Sequence, residues 1–171
     1  LRTGLFEVLE RMGAQIAYEN KRQQCGEQVA DINVSAAQLK AIDLEAKIAV
    51  RMIDEYPILA VAAALAEGTT IMRGLHELRV KESDRLQAVY DGLIACGVKA
   101  EIDNDDLIVH GSAQVKGGGA VTTYGDHRIA MAFLVLGLAA EQPISVDKAE
   151  MINTSFPGFV EIFNNIGAAI K

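Results

Sequence analysis

Three stretches of the chain repeat one pattern of hydrophobic and polar positions. They cover residues 5–20, 86–102 and 159–171. Each begins with apolar residues at the spacing of an amphipathic helix and continues into a stretch where apolar and polar residues alternate. A glycine separates the two parts, and the three glycines are Gly13, Gly97 and Gly167. Because glycine readily adopts the left-handed backbone found just past a helix end, the pattern predicts a helix followed by a strand each time.

The middle stretch also predicts a hairpin. Val98, Ala100 and Ile102 alternate with polar residues, as in a strand with one buried face. The polar residues 103–106 then predict a turn, and residues 107–111 predict the returning strand.

A second pattern lies between the first ones, in residues 54–72 and 126–146. An aspartate, Asp54 or Asp126, is followed in each case by a helix that is apolar on all sides and then by a β-branched strand. A helix without a polar face is buried on every side. Pro57 fits the first turn of its helix, where a missing N–H group costs nothing.

Together the patterns define a unit of helix, strand, strand, loop, buried helix and strand. About two units are present, and a third begins at the C-terminal end. We therefore expect an α/β fold in which residues 1–171 form a single, incomplete domain of a larger repeat-built protein. The first residue is not Met, which agrees with this expectation. The alternative is a self-contained α/β domain whose internal similarity is accidental.

Composition narrows the possible functions. Half of the residues are hydrophobic but only 5% are aromatic, so the core is aliphatic. The net charge of −7 argues against a broad nucleic-acid surface or a basic membrane face. Cys25 and Cys96 have neither zinc-site nor disulfide-framework spacing, which indicates two buried, reduced thiols in the cytoplasm. The longest uncharged apolar run, residues 129–140, is shorter than the roughly 20 residues of a membrane span.

The most charged segment is RVKESDR, residues 79–85. One interpretation is a solvated helix start, with Ser83 as the N-cap and an ion pair between Glu82 and Arg85. The other is an anion site, because Lys81 and Arg85 share a face if they are helical, and cations beside a helix N-terminus bind phosphate or carboxylate.

Two further clusters precede the apolar helices. GDHRIAM, residues 125–131, and MIDEYP, residues 52–57, are explained either by simple helix caps or by a shared cleft. Asp54 and Asp126 occupy equivalent places in the repeat, so a rotation between units would bring both helix entrances together. We therefore predict that the three charged clusters meet in one anion-binding cleft. The glycine run KGGGA, residues 116–120, lacks a phosphate-binding pattern and is predicted to be a loop.

Four motifs in this order and spacing resemble the C-terminal domain of 5-enolpyruvylshikimate-3-phosphate synthase. They are MIDEYPILAVAAALAEG, RVKESDRL, GDHRIAM and TSFPGF, and the similarity runs from the LRTG at residue 1 to the last residue. The resemblance implies an enolpyruvyl-transferase-like domain of repeated βαβαββ units, with buried helices inside and sheets outside. It also implies a missing N-terminal domain and an active site in the cleft between the two domains.

The implied reaction transfers the enolpyruvyl group of phosphoenolpyruvate to the 5-hydroxyl of shikimate 3-phosphate, without a metal or an organic cofactor. The resemblance implies that Asp54 accepts the hydroxyl proton. It makes Glu82 the acid and base beside the enolpyruvyl carbon, and it places His127 near the leaving phosphate.

The substrate-binding residues are implied in the same way. Lys81 is similar to a contact of shikimate 3-phosphate, and Arg85 and Arg128 resemble a clamp on phosphoenolpyruvate. Asp126 is grouped with them, as the residue that holds Arg128 or His127 in place.

This sequence departs from the family pattern at two positions. Thr154 stands where many relatives have a lysine before the T-F-P motif, and Glu77 stands where many have asparagine. Arg79 is assigned only a structural role. We expect the chain alone to be inactive, because about half of the family's substrate contacts lie in the other domain. The alternatives are a related UDP-sugar enolpyruvyl transferase and a non-catalytic repeat-built binding domain.

Overall fold

A computed structural model describes residues 3–171 of the chain. The first two residues of the LRTG start lie outside the described part. The α-helices are α1 (Gly4–Arg11), α2 (Ala49–Met52), α3 (Tyr56–Ala64), α4 (Arg85–Ala95), α5 (His127–Gly137) and α6 (Phe159–Asn165). Short 3-10 helices cover Ala46–Ile48, Ile53–Glu55, His76–Val80 and Ala149–Thr154.

The strands form short sheets around the helices. They are β1 (Gln15–Gln24), β2 (Glu27–Ser35), β3 (Asp43–Leu44), β4 (Gly68–Met72), β5 (Lys99–Asp103), β6 (Asp106–Gly111), β7 (Val115–Gly117), β8 (Ala120–Val121), β9 (Ala140–Gln142) and β10 (Ser145–Val146). The described strand pairing has the orders β1-β2, β3-β4-β6-β5, β7-β9 and β10-β8.

The predicted helix ends are confirmed, but the strand predicted after Gly167 is not, since residues 168–171 have no regular secondary structure. Gly13, Gly97 and Gly167 follow α1, α4 and α6 with φ angles of 98°, 79° and 104°, which few other residues adopt at no cost. The predicted hairpin is also confirmed, since β5 and β6 pair antiparallel with Asp103 opposite Asp106. Asn104 turns this hairpin with a φ of 55°, a conformation that asparagine tolerates better than most residues.

The repeat recurs in the pairing of strands. β3 lies parallel to β4, the strand that follows the buried helix α3. In the next unit β8 lies parallel to β10, which comes after α5. In the first of these sheets, β6 adds to β4 in antiparallel direction and joins the hairpin to the unit before it. In both parallel pairs, therefore, one strand precedes a buried helix and its partner follows that helix.

The two apolar helices form the interior. No residue of α3 or α5 is exposed, and Leu59, Ala63, Ile129 and Leu136 have 0% exposed surface. Pro57 lies in the first turn of α3, as predicted. One continuous aliphatic core surrounds these helices and includes the inner faces of α1, α4 and the four-stranded sheet β3-β4-β6-β5, which is called the central sheet below. Within residues 3–171, no helix is long and apolar enough to cross a bilayer.

The glycine run at residues 116–120 differs from the prediction. Its ends belong to β7 and β8, so it is not simply a loop. A Cβ atom on Gly117 would lie 2.2 Å from the carbonyl oxygen of Gln142 in the neighbouring strand. Glycine is present there because two backbones approach closely, a constraint that depends on a distant partner strand.

Candidate active site

The Arg85 side chain lies at the centre of a cluster of charged groups and has no exposed surface. Its Nε donates to Asp126 Oδ2 at 2.7 Å, and its Nη1 donates to Asp54 Oδ1 at 3.1 Å. Its Nη2 pairs with Glu82 Oε2 at 2.6 Å. Carboxylates from three separate segments therefore surround one guanidinium. The planar fork of arginine suits this arrangement, because its donors point in fixed and different directions.

Asp126 is the buried anchor of the cluster. Its carboxylate has 0% exposure and accepts hydrogen bonds from Arg85, from Ser83 Oγ at 3.2 Å and from the Arg128 backbone N–H at 2.9 Å. Burial raises the pKa of this carboxyl, but the hydrogen bonds and charge of Arg85 outweigh burial, and the net pKa lies below its usual value. Asp126 thus caps α5 and fixes the Arg85 guanidinium in position. It meets Arg128 through the backbone, not through the guanidinium.

Asp54 lies nearer to the surface, with 15% of its side chain exposed. Its carboxylate is 3.4 Å from Lys81 Nζ and 3.1 Å from Arg85 Nη1. Arg128 Nη1 donates to the Asp54 carbonyl oxygen at 3.2 Å. Burial raises the pKa of the Asp54 carboxyl, and the charges of Arg128, Lys81 and Arg85 lower it, so that the net pKa is below the usual value. Asp54 is therefore an ionised carboxylate beside three cations.

The loop between the 3-10 helix His76–Val80 and α4 carries Lys81, a predicted substrate contact, and Glu82, the predicted acid and base. Lys81 is 27% exposed and Glu82 is 56% exposed. Neither residue is helical, so the condition under which Lys81 and Arg85 would share a helix face is not met. They meet instead because both contact the Asp54 carboxylate.

The cap of α4 also differs from the prediction. Asp84 is the N-cap residue, and its Oδ1 accepts from the Gln87 backbone N–H at 3.0 Å. Ser83 turns its hydroxyl to Asp126 and so joins the charged cluster. Both residue types are good N-caps, and nothing in the local sequence distinguishes which of two neighbours will cap.

Arg128 lines a largely apolar cavity of about 240 Å³. Asp54 and Glu55 also line this cavity. The apolar walls are formed by Pro57, Ile58, Met131, Ala132, Val135, Phe156, Phe159 and Phe163. No role was predicted for the three phenylalanines, although Phe156 and Phe159 belong to the TSFPGF motif. The cavity places aliphatic and aromatic surface directly beside the Asp54 carboxylate and the Arg128 guanidinium.

The remaining predicted site residue, His127, is the first residue of α5 and is half-buried. In the described part of the chain, its ring makes no hydrogen bond or ion pair with the cluster. The structure therefore brings six of the seven predicted site residues into direct contact and leaves His127 beside them in sequence. Residues 3–171 also contain no group of three or more His, Cys, Asp or Glu side chains arranged to hold a metal ion.

Direct contact between Arg85 and a substrate has a structural requirement. The guanidinium is enclosed by carboxylates, and only the Glu82 carboxylate among them is largely exposed, at 56%. A substrate anion reaches Arg85 only if Glu82 turns away from Nη2. Arg128 is not enclosed in this way, since it is partly exposed and lines the cavity.

The two departures from the family pattern lie on the surface. Thr154 is exposed, and its Oγ1 donates to the Met151 carbonyl oxygen at 2.7 Å. Glu77 is exposed in the 3-10 helix before Lys81.

Comparisons with known proteins identify the family of the chain. A family model described as EPSP synthase (3-phosphoshikimate 1-carboxyvinyltransferase) matches residues 2–163. A 3-phosphoshikimate 1-carboxyvinyltransferase of Paramagnetospirillum magneticum is 59% identical over 172 residues, and the match covers 100% of this chain and 39% of that protein. The same-named protein of Cereibacter sphaeroides is 56% identical, with 98% and 38% covered. The chain thus spans about two fifths of the length of these relatives.

Solved structures give the same result. EPSP synthase from Acinetobacter baumannii superposes with a TM-score of 0.93 at 41% identity, covering 99% of this chain and 40% of that one. The enolpyruvyl transferase NikO from Streptomyces tendae, at 23% identity and a TM-score of 0.69, shares the fold. The predicted α/β enolpyruvyl-transferase-like fold is therefore confirmed.

Proposed function

Because the chain belongs to the EPSP synthase family, we propose that it supplies one half of an interdomain active site in a longer enzyme. That enzyme transfers the enolpyruvyl group of phosphoenolpyruvate to the 5-hydroxyl of shikimate 3-phosphate. The reaction is a step of the shikimate pathway, which leads through chorismate to aromatic amino acids. We assign it to the cytoplasm and expect neither a metal nor an organic cofactor. Residues 1–171 are most of the C-terminal domain, with two repeat units and the start of a third.

The position of the Asp54 carboxylate carries the proposal. It lies 3.4 Å from Lys81 Nζ and 3.1 Å from Arg85 Nη1, at the partly exposed entrance of α3. The substrates of the proposed reaction carry several negative charges, so cations around a carboxylate base are needed to bind them. A repeat-built binding domain has no need for an ionised carboxylate held beside three cations.

The reaction consists of an addition and an elimination. In the addition, the 5-hydroxyl oxygen bonds to C2 of phosphoenolpyruvate and loses its proton to Asp54, while Glu82 delivers a proton to the C3 methylene. In the elimination, C3 loses a proton to Glu82 and the bond from C2 to the phosphate oxygen breaks. The products are the enol ether and inorganic phosphate, and the proton first taken by Asp54 leaves with the phosphate.

The cations have separate tasks in this scheme. Lys81 contacts the 3-phosphate, and Arg128 binds phosphoenolpyruvate at the cavity that it lines. Arg85 joins this clamp when Glu82 turns toward C3, and His127 donates to the leaving phosphate. When anionic substrates engage these cations, Asp54 loses part of their stabilisation and its pKa rises, which makes it a better base.

The proposal is tested with the full-length protein that contains this chain. Phosphate release is measured with phosphoenolpyruvate and shikimate 3-phosphate, and in parallel with a UDP-sugar as the acceptor. We expect turnover only with shikimate 3-phosphate, and no turnover by residues 1–171 alone. Turnover with the UDP-sugar only, or none with either acceptor, would refute the proposal.

The clamp role of Arg128 has its own test. Removal of a charge-assisted bidentate contact costs about 3 kcal/mol, so Arg128→Ala should lower kcat/KM about a hundredfold. Arg22→Ala is the matched control, because Arg22 pairs with Asp31 on the exposed β1–β2 hairpin. Equal activity of the two variants would reject the clamp.

A further inference from the structure

Arg79 holds together the segment that carries Lys81 and Glu82. Its Nε donates to Asp105 Oδ1 at 2.8 Å, and its Nη2 donates to the Asn104 carbonyl oxygen at 2.6 Å. Both acceptors belong to the turn between β5 and β6. One guanidinium thus fastens the start of the loop to a hairpin of the central sheet.

The third donor of Arg79 closes the loop on itself. Nη1 donates to Asp84 Oδ2 at 3.3 Å, and Asp84 is the N-cap residue of α4. Lys81 and Glu82 lie between the two ends of this contact and have no regular secondary structure. The Arg79 side chain therefore bridges the two ends of the loop.

The turn between β5 and β6 receives the preceding segment at further points. The Leu75 backbone N–H donates to the Asp105 carbonyl oxygen at 2.7 Å, and the Gly74 N–H donates to Asp106 Oδ1 at 2.8 Å. The segment between β4 and the loop is therefore bound to the tip of the β5–β6 hairpin at Gly74, Leu75 and Arg79, and Arg79 is the last of these residues before Lys81.

We propose that Arg79, anchored on the Asn104–Asp105 turn, is a positioning residue that sets the place of Lys81 and Glu82 in the active site. This inference rests on the proposed function of those two residues. Partly exposed ion pairs add only about 0–1 kcal/mol of stability each, so overall stability gives little reason for three separate contacts. Geometry gives a better reason, because a shift of about 1 Å in a catalytic group can lower the rate about a hundredfold.

The test compares Arg79→Gln with Arg73→Gln in the full-length protein. Arg73 is a close match, because it also pairs with two carboxylates, Asp43 and Asp106, and it is 44% exposed against 32% for Arg79. Arg73 does not touch the loop. We expect Arg79→Gln to lower kcat about ten- to a hundredfold at a loss of stability no larger than that of the control. Arg73→Gln should keep the kcat of the unaltered protein.

Two further variants separate positioning from folding. Asp105→Asn keeps the side-chain shape but removes the charge that Nε binds, so it should lower kcat in the same direction and by less. Arg79→Lys keeps the charge but cannot reach three acceptors at once. Compared with Arg79→Gln, it should therefore recover more of the lost stability than of the lost kcat. Equal kcat values for the Arg79 and Arg73 variants would overturn the proposal.

Amide hydrogen exchange gives a readout that does not need activity. Residues 80–84 should exchange faster in Arg79→Gln than in Arg73→Gln, while the other strands and helices keep their protection. Unchanged exchange in this loop contradicts the positioning role even if turnover is affected. Inactivity of the unaltered protein instead contradicts the proposed function, and the exchange result still decides whether Arg79 orders the loop.

Discussion

Replacement of Asp126 by alanine tests whether the charged cluster is organised around its buried carboxylate. The change leaves Arg85 Nε, the Ser83 hydroxyl and the Arg128 backbone N–H without their acceptor. Arg85 and Asp126 both have 0% side-chain exposure, so water cannot replace the lost partner without disturbing the core. The arginine then remains as a buried cation with fewer counter-charges.

The expected loss follows from two contributions. Removal of one partner from a buried ion pair costs about 3–5 kcal/mol, and loss of a helix cap costs about 1 kcal/mol. Asp54 and Glu82 still pair with Arg85, which reduces the first contribution. A total of about 3–5 kcal/mol remains. Asp126→Asn keeps an acceptor for the cap and should lose about half as much.

The free energy of unfolding is measured by urea denaturation followed by circular dichroism, because the chain contains no Trp for fluorescence. With an m-value of about 2 kcal/mol per molar urea, Asp126→Ala should lower the midpoint by about 1.5–2.5 M. Asp31→Ala is the control, because it breaks a pair whose side chains are 51% and 54% exposed. That change should lower the stability by about 0–1 kcal/mol. A loss of less than 1 kcal/mol for Asp126→Ala would refute the reasoning.

The pH dependence of the free energy of unfolding gives an independent test of the role of the Asp126 carboxylate. The pKa of Asp126 is lower in the folded protein than its ordinary value of 3.8. The stability from its ionised form is therefore fully present above about pH 4–5 and is lost as the pH falls through the folded pKa. Asp126→Asn removes this part of the acid sensitivity, so the difference in stability between the unaltered protein and Asp126→Asn should shrink below pH 4. A constant difference across this range would contradict the assigned pKa direction.

Two other predictions concern packing and thiol reactivity. A Cβ on Gly92 would lie 2.3 Å from the Phe133 ring, so Gly92→Ala should destabilise the protein by about 1–3 kcal/mol. A Cβ on Gly137 would lie 3.6 Å from its nearest neighbour, so Gly137→Ala should stabilise the protein by up to about 1 kcal/mol. A loss of stability at both positions in urea denaturation would contradict this prediction. Burial raises the pKa of the Cys96 thiol to about 11, whereas Cys25 is exposed, so the prediction that both thiols are buried is wrong for Cys25. A thiol reagent at neutral pH should therefore label Cys25 alone until the protein unfolds. Rapid labelling of both cysteines, read by intact mass, would show that the core opens around Cys96.

Local patterns predicted the elements because their physical causes are local. The helix before Gly97 ends where a left-handed residue is needed, and its hairpin returns at Asn104 for the same kind of reason. The all-round apolarity of α3 and α5 predicted their burial, since a helix with no polar face has no stable place at the surface. The equivalent positions of Asp54 and Asp126 then predicted that both would reach one cluster.

What the sequence could not supply are properties set by distant neighbours. A fully buried arginine is rare, and nothing within RVKESDR shows that Arg85 is enclosed while Lys81 stays partly exposed. The choice of Asp84 over Ser83 as the cap follows from Asp126, whose carboxylate accepts a hydrogen bond from the serine hydroxyl although it lies 43 residues away in the sequence. The strand ends within KGGGA depend likewise on the backbone of Gln142.

The same distinction explains how the site is built. The helix entrances of two units bring Asp54 and Asp126 together, and this acidic pair can be neutralised only by a cation from a third segment. Arg85 enters from α4 and contacts both carboxylates, so the ion pairs specify how the units are oriented around one another. Arg85 is enclosed in this way, so in the proposed mechanism it joins the clamp only after Glu82 turns, whereas Lys81 and Arg128 are already partly exposed. The buried part of the cluster therefore determines the geometry, and the loop attached by Arg79 carries Lys81 and Glu82, two of its more exposed members.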